Sequence, residues 1–529
     1  MTAVTGLWII PGDLRIGPLR GELQGLMVCR GRLGRDLIGV SGVLLSVALG
    51  PSQVWAQLDA EQAQKLAEAD IQASQAQPSG SFGGELGLGK LGEDFFLTVN
   101  LRLSYDQPTW GVGVQAPLRL RIWDRDPNND QDYGGVLRRE DWDQPSDYLR
   151  ILRYVYVGQA DKKGPYYVRI GELTALTVGH GTIMHRYFNG IDANKWRTGI
   201  NAVGNVGPYS GEVVLGDIVD PYLFGMRFTM RPLEVFLEKD NPWASRLVMG
   251  HSLFTDVRAP IGLARDANGA ILTNADGVPE VTRERALMIV GLLDIGYELL
   301  DTELLSITPY MDLNKMTQVP NGLGWHLGVL SSLRLPLGID TLSASLRTEY
   351  RFVSGDYVGP YFNVVYEIER YQHLERGGGT VRPKLLELCV GDPLCNSPVA
   401  AARHGYFFEG QVGLPKFVVA GFEYLDYAGP RDDGQFRLSV DVPALEFLQL
   451  SAYYYRVNVA GPSDLFKVDD KSAIVAQARV PVWGPLVLQL RWWRIWRSCG
   501  ADGTICEDGT EGYRSVDDWS VGAGFNFTF

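Results

Sequence analysis

The closing stretch of the chain, Trp519-Ser-Val-Gly-Ala-Gly-Phe-Asn-Phe-Thr-Phe529, decides the fold class. Bulky apolar residues alternate here with small or polar ones at a strict period of two, which is the spacing of a β-strand with two different faces. The apolar face consists of Trp519, Val521, Ala523, Phe525, Phe527 and Phe529. A soluble edge strand of this kind would expose a row of large side chains and invite pairing with other chains. The stretch therefore predicts a strand between lipid and water.

Similar alternating segments recur from Glu93 to the end of the chain, about nineteen in all. The composition of the 529 residues, with Gly 62, Tyr 24 and Trp 13, suits many short strands joined by turns. No apolar run reaches the length of about 18 residues that a spanning helix needs. A barrel whose two ends lie on one side of a membrane needs an even number of strands. The sequence predicts an all-β, transmembrane antiparallel up-and-down β-barrel of about 18 strands, within a range of about 16 to 20, with the hairpin at 93–123 unresolved.

A chain that ends on an aromatic residue in such a strand resembles the outer-membrane β-barrels of Gram-negative bacteria. The closing strand of those proteins ends in Phe as part of their assembly signal. The resemblance implies a location in the outer membrane and contact with its lipid and lipopolysaccharide. It also implies recognition of Phe529 by the outer-membrane assembly machinery.

A second, shorter resemblance lies in the middle of the chain, where Gly171-Glu-Leu is followed by Gly179-His-Gly181 and then by Trp196-Arg-Thr-Gly199. This order is similar to the strand, in-turned loop and strand units of large porins and alginate-export-type barrels. It implies a loop that narrows the lumen and guides a solute, although a simple wall with a long loop is an equal alternative. Segment 359–371 has a helical rather than alternating pattern and predicts an extracellular or in-turned loop element.

The lengths of the connections predict the orientation of the barrel, because outer-membrane barrels keep periplasmic turns short and extracellular loops long. Counting back from Phe529, every long connection falls on the same side, which is therefore predicted to be extracellular. These long loops are 124–147, 179–194, 257–286, 372–403 and 498–515. The short turns at 337–340, 414–416 and 482–485 fall on the periplasmic side.

Three regions divide the chain. Residues 1–56 predict a leader with a secretory signal peptide, because arginines precede the apolar stretch Leu37 to Gly50 and a small-residue cleavage site follows it. Either translation then starts at Met27, or the chain has a genuine long leader. Residues 57–92 predict a periplasmic N-terminal segment, helical and then a flexible linker, which serves as a spacer or as a partner-binding arm. Residues 93–529 predict the barrel.

The inward faces of the predicted strands are rich in arginine, although the formal net charge of the chain is -13. A cationic wall concentrates anions, so the sequence predicts an anion-leaning, porin-like channel for small hydrophilic solutes. An equal alternative is that the arginines pair with inward acids and only brace the barrel. An acidic chain also argues against a nucleic-acid partner. The predicted pore-lining candidates are Arg119, Arg121, Arg169, Arg197, Arg227, Arg347, Glu349, Arg351, Arg437 and Arg491.

Four cysteines remain after the leader, and each of the two local pairs falls in a predicted extracellular loop. A disulfide is the simpler interpretation for an exported chain, since the spacings lack the tight pattern of zinc ligands. The predicted disulfides join Cys389 to Cys395 and Cys499 to Cys506. In 124–132, oxygen-bearing side chains recur every second residue, which is the spacing of calcium ligands. A solvated acidic loop is the favoured interpretation of this stretch, and calcium binding is the alternative. The calcium ligands would be Asp124, Asp126, Asn128, Asp130 and Asp132.

Two other classes of function stay open at this point. One is a structural or surface-binding barrel with a plugged lumen. The other, weaker one is an outer-membrane enzyme, since none of the six histidines lies in a metalloprotease motif and no serine lies in a G-x-S-x-G motif. No cofactor other than calcium is predicted. The solute and the oligomeric state are not determined by the sequence.

Overall fold

The fold rests on a computed structural model, and every described residue belongs to the compact unit Val47–Phe529. The structure describes residues 79–91, 94–123, 136–138, 141–142, 144–159, 162–190, 196–237, 241, 243–265, 272, 279–319, 322–338, 340–354, 357–371, 383–387, 402–415, 417–429, 434–445, 448–469, 472–499 and 512–528. The predicted leader 1–56, most of the predicted N-terminal segment and Phe529 lie outside these residues.

Twenty antiparallel strands form a closed β-barrel, and one further short strand lies beside it. Each of the twenty barrel strands pairs with the barrel strands before and after it, β10 with β12, and β1 pairs with β21 to close the ring. The short strand β11 pairs only with β12 at one end of the barrel. The strands are β1 Ser79–Leu91, β2 Asp94–Gln107, β3 Trp110–Trp123, β4 Leu152–Gly158, β5 Tyr166–Gly171, β6 Gly199–Val206, β7 Tyr209–Leu215, β8 Leu223–Met230, β9 Leu247–Leu263, β10 Val281–Tyr297, β11 Leu300–Asp301, β12 Leu305–Met316, β13 Leu323–Pro336, β14 Thr341–Val353, β15 Arg403–Leu414, β16 Val418–Tyr427, β17 Gly434–Leu445, β18 Leu448–Val459, β19 Ser472–Trp483, β20 Leu486–Cys499 and β21 Gly512–Thr528.

The alternation in sequence is an alternation between the outside and the inside of the barrel. In β13, Trp325 and Leu327 are exposed on the outer surface, while the alternate residues Gly324, His326 and Gly328 are buried inside. In β21, Trp519, Val521 and Phe527 are exposed, whereas the alternate residues Ser520 and Gly522 are half-buried. A barrel with an apolar exterior and a polar interior is the arrangement expected of strands that face lipid.

The strand number corrects the prediction, because the barrel has twenty strands where about eighteen were expected. The strand absent from the nineteen predicted segments is β1, which lies where a flexible linker was predicted and moves the start of the barrel from residue 93 to Ser79. Its glycines indicated a linker. In the structure, Phe82, Leu86 and Leu88 face outward, and the backbone of β1 pairs with β2 on one side and with β21 on the other. The hairpin at 93–123 becomes β2 and β3, and the even count follows.

Helices are few and short in the described part of the chain. They are α1 Pro145–Tyr148, α2 Pro232–Phe236, α3 Tyr366–Glu369 and α4 Lys384–Glu387, with 3₁₀ turns at Leu149–Ile151 and Pro462–Asp464. Proline opens α1 and α2, where its missing N–H costs nothing. Among the described residues, no helix has the length and apolar character to cross a bilayer.

The two ends of the barrel differ in the length of their connections. The connections that contain 124–151, 172–198, 264–280, 354–402 and 500–511 all leave from one end. The opposite end has short turns, including those between β2 and β3, between β15 and β16, and between β19 and β20. The predicted long loops and short turns therefore lie at opposite ends, as the antiparallel order requires.

Two of the long connections return into the barrel, and we call residues 172–190 the first inward segment and residues 357–371 the second inward segment. They pair with each other through a parallel bridge between Met184 and Phe362. The His185 N–H donates to the Phe362 carbonyl at 2.9 Å, and the Phe362 N–H donates to the Ile183 carbonyl at 3.1 Å. Their buried aromatic residues pack against strand residues such as Phe254, so the main apolar cluster lies inside the barrel.

Candidate functional site

The candidate functional site is the interior of the barrel, where β14 carries a row of buried charges. Arg347, Glu349 and Arg351 alternate with outward residues and all face inward. The Arg347 Nε donates to Glu349 Oε1 at 2.8 Å, and the Arg351 Nε donates to Glu349 Oε2 at 2.6 Å. Tyr310 on β12 donates to the same carboxylate at 2.5 Å. One glutamate thus neutralises part of the charge of two arginines, and the Arg351 side chain is 0% exposed.

The two inward segments cover this row. The Arg351 Nη1 donates to the carbonyl of Gly359 in the second inward segment at 2.9 Å. In the first inward segment, His185 Nδ1 lies 3.3 Å from Arg347 Nη1, and its Nε2 lies 3.1 Å from Glu409 Oε2 on β15. Arg186 pairs with the same carboxylate at 2.8 Å. The charges of β14 and β15 therefore hold the segments in place and are shielded from solvent by them.

A second buried group surrounds Glu367 in the second inward segment. It accepts hydrogen bonds from Tyr187 at 2.5 Å and from Tyr222, and Arg197 Nε lies 3.2 Å from its Oε2. Burial raises the pKa of Tyr187 well above its usual value, and the Glu367 charge adds to this, so the phenol stays protonated as a donor. Arg370 in the same segment pairs with Asp256 on β9 at 2.7 Å.

The opposite wall is more open around β1 and β2 and at the half-buried inward residues Arg121 on β3, Asp441 on β17, Arg479 on β19 and Arg491 on β20. Glu85 on β1 and Arg102 on β2 face inward, and their side chains are 45% and 33% exposed. The two groups lie 3.8 Å apart, a loose pair with contact to solvent. A side chain added at the inward position Gly87 would meet no atom within 4 Å. Water therefore has room along this wall, which we call the open wall.

The predicted pore-lining residues divide between the two sides. Arg197, Arg347, Glu349 and Arg351 are buried by the inward segments, so in this structure they contact no open lumen. The alternating pattern indicates that these side chains point inward, but it does not indicate which other residues fill the interior. For this reason the pattern did not predict their burial.

The other candidates are less enclosed. Arg227 pairs with Asp294 at 2.6 Å, and Arg169 donates to the Glu172 carbonyl at 3.0 Å. Arg119 pairs with Asp141 at 3.2 Å. The Asp141 carboxyl is buried, which opposes its charge, but Arg119 and two further arginines hold its pKa below the usual value. Arg437 pairs with Glu423 at 3.0 Å. Arg121 and Arg491 are partly exposed. A role of these residues in lining a solute path stays a prediction.

Several predicted features lie outside the described residues. The calcium-ligand candidates in 124–132 belong to this group, as do Cys389, Cys395 and Cys506. The backbone of Cys499 ends β20, but the structure does not describe its side chain. The calcium site and both disulfides therefore stay predictions.

The sequence did not predict two of the acids that anchor the inward segments. Asp256 on β9 and Asp294 on β10 bind partners from elsewhere in the barrel. The available signal was a carboxylate within an apolar run of each strand, because such a group needs a nearby donor. The partner could not be identified, since Arg370 lies 114 residues from Asp256 in the chain.

Comparison with solved structures finds distant similarity to outer-membrane proteins. OccK11 (OpdR) of Pseudomonas aeruginosa is 11% identical, and the match covers 86% of this chain and 96% of that chain with a TM-score of 0.33. OprD, an outer-membrane protein of the same organism, is 9% identical over 86% and 94% with a TM-score of 0.30. Wzi of Escherichia coli, a carbohydrate-binding β-barrel involved in capsule assembly, is 11% identical over 90% and 92% with a TM-score of 0.33.

The chain is a closed β-barrel similar to outer-membrane proteins. The strand pairing described above, rather than these distant similarities, establishes the barrel. No protein-family model matches the chain. No curated protein matches it.

Proposed function

We propose that the barrel is an outer-membrane channel for the passive passage of small hydrophilic solutes, with a preference for anions. The observation that carries the proposal is the difference between the two sides of the interior. The inward segments fill one side, whereas charged side chains of the open wall, such as Glu85 and Arg102, remain in contact with solvent. A polar wall beside a fixed obstruction is the arrangement of a narrowed aqueous path.

The size and the surface of the barrel support this proposal. Barrels of about 16 to 18 strands enclose an aqueous channel, so twenty strands leave a path even when two segments occupy part of the interior. The outward row of Trp325, Leu327 and their neighbours suits lipid. We place the end with the long connections outside the cell and the short turns in the periplasm, following the usual asymmetry of such barrels.

The preference for anions is proposed from the charges of the open wall. Its partly exposed inward cations include Arg102, Arg121, Arg479 and Arg491, and its inward acids include Glu85 and Asp441. Where a path is narrow, wall charges are screened less than charges at an exposed mouth, for which the Debye length is about 8 Å at physiological salt. The basic excess of the wall should therefore outweigh the acidic loops.

The experiment is reconstitution of the pure folded barrel in planar bilayers. We expect discrete conductance steps and, in a salt gradient, a reversal potential of the sign that indicates anion preference. An absence of steps from folded protein would refute the channel. Conductance steps with cation preference would refute the proposed anion preference but not the channel.

A second candidate function is a plugged barrel that binds a surface ligand or supports the envelope. The burial of Arg197, Arg347 and Arg351 with their carboxylate partners favours it, because so many internal ion pairs fix the inward segments. Liposome swelling separates the two candidates, since a plugged barrel gives no swelling with any small solute. An enzymatic role has no comparable support from the geometry.

The remaining partners of the channel follow from its proposed location. Outer-membrane lipid and lipopolysaccharide would cover the apolar exterior, and the assembly machinery would recognise the chain at Phe529. The cysteine pairs would close two small loops on the outside, and loop 124–132 would stay solvated or bind calcium.

A further inference from the structure

A histidine of the first inward segment lies between two carboxylates of the barrel wall. His180 Nδ1 is 2.9 Å from Asp312 Oδ1 on β12 and 3.4 Å from Asp294 Oδ1 on β10. These three atoms lie within 4.8 Å of one another. The group borders a small cavity that Thr182, Ser252 and other residues also line.

The outer atoms of both carboxylates are already held by donors. Thr182 Oγ1 donates to Asp312 Oδ2 at 2.7 Å, and Arg227 Nε donates to Asp294 Oδ2 at 2.6 Å. The two inner oxygens are thereby turned toward His180. Asp294 Oδ1 is buried and has no hydrogen-bond partner in the part of the chain that the structure describes. An unsatisfied buried carboxylate oxygen is costly unless something positive occupies the space before it.

The spacing of these atoms suits a tetrahedral metal ion. Zinc binds histidine nitrogen and carboxylate oxygen at about 2.0 to 2.2 Å, so two of its ligand atoms lie roughly 3.3 to 3.6 Å apart. The observed distances of 2.9 and 3.4 Å need only a small adjustment to reach this range. Tyr310 stacks on the His180 ring at 4.2 Å between centroids and fixes its plane.

We propose that His180, Asp294 and Asp312 bind a first-row divalent metal ion, with Zn²⁺ as the best fit. An imidazole nitrogen disfavours Ca²⁺ and Mg²⁺, which take oxygen ligands. Thr182 and Arg227 are the outer partners that orient the two carboxylates, as the second shell of a metal site does. The cavity provides the fourth position, for water.

A second group with similar ligand types consists of His185, Glu409 and Glu423. Its surroundings make it a poor cation site. Arg186, Arg347 and Arg437 all lie within 4.0 Å of a Glu409 oxygen. Arg437 also pairs with Glu423 at 3.0 Å. This density of positive charge repels a metal ion, whereas among the described residues that line the cavity at His180 the one arginine is Arg227.

A metal ion at His180 would join the first inward segment to two strands of the wall. Because an ion that binds only the folded arrangement stabilises it by mass action, Zn²⁺ should strengthen the inward position of the segment. The proposal does not depend on the channel function, since a plugged barrel would use the same fastening.

The test uses the full-length folded chain in detergent, without a polyhistidine tag and after treatment with a chelator. Titration with Zn²⁺ in a calorimeter gives affinity and stoichiometry, and elemental analysis after dialysis gives retained metal. The variants are His180→Gln, Asp294→Asn and Asp312→Asn. The matched control is His404→Gln, whose side chain is exposed and outside the group.

We expect one Zn²⁺ per chain in the unaltered protein and in His404→Gln, and binding weaker by at least about tenfold in the three site variants. Circular dichroism checks that each variant retains its strands. If an Asp variant fails to fold, metal binding at this site is tested with His180→Gln and with the visible absorption of Co²⁺ bound to the unaltered protein. An absence of stoichiometric Zn²⁺, or equal affinity in His180→Gln, would overturn the proposal and leave His180 as a hydrogen-bonding partner of the wall carboxylates.

Discussion

The buried row on β14 gives the sharpest test of the obstruction in the barrel, through the substitution Glu349→Gln. The carboxylate accepts from Arg347 at 2.8 Å, from Arg351 at 2.6 Å and from Tyr310 at 2.5 Å. The neutral amide would remove the counter-charge of the buried Arg351 guanidinium and leave Arg347 with the more distant Glu409 carboxylate at 3.9 Å. Removing one partner from a buried ion pair costs about 3 to 5 kcal/mol. At a factor of ten for each 1.4 kcal/mol, opened arrangements should become roughly 10² to 10³ times more populated.

The assay is single-channel recording combined with limited proteolysis of the folded protein. We expect Glu349→Gln to show extra conductance substates and faster cleavage within the inward segments, because Arg351 holds the second segment through the Gly359 carbonyl. The matched control is Glu85→Gln, the same substitution at a carboxylate that is 45% exposed and 3.8 Å from Arg102. An exposed pair of this kind contributes about 0 to 1 kcal/mol. If both variants gave the same traces and cleavage rates, the reasoning about the obstruction would be refuted.

Three further predictions concern the path and the loops. Gly87→Cys should react with a charged, membrane-impermeant thiol reagent, whereas Leu86→Cys, which faces outward, should not; equal labelling of the two would mean that the open wall is closed. Arg479→Glu with Arg491→Glu should move the reversal potential toward cation preference, and an unchanged potential would place the selective region elsewhere. Non-reducing peptide mapping should show two local disulfides, and free thiols would contradict it. The predicted pairs are Cys389 with Cys395 and Cys499 with Cys506.

The sequence predicted the barrel because a period of two is a local property of each strand. It predicted the inward direction of Arg347 and Arg351 for the same reason. It could not predict their burial, since the contact between Arg347 and His185 joins residues 162 positions apart. The alternating pattern of β1 was missed because its inward positions are mostly glycine or serine, and glycine carries no side-chain pattern to read.

The pairing of β1 with β21 has a consequence for the order in which the molecule is made. Ser81 to Leu88 pair with Thr528 to Val521, so the closing hydrogen bonds join residues from the two extremes of the barrel sequence. Synthesis and export must deliver nearly the whole barrel before the ring can shut. Until then both terminal strands present unsatisfied backbone to other chains, which makes aggregation the main hazard of the unfinished barrel. A periplasmic holding factor that covers these two edges would protect the chain until its ends meet.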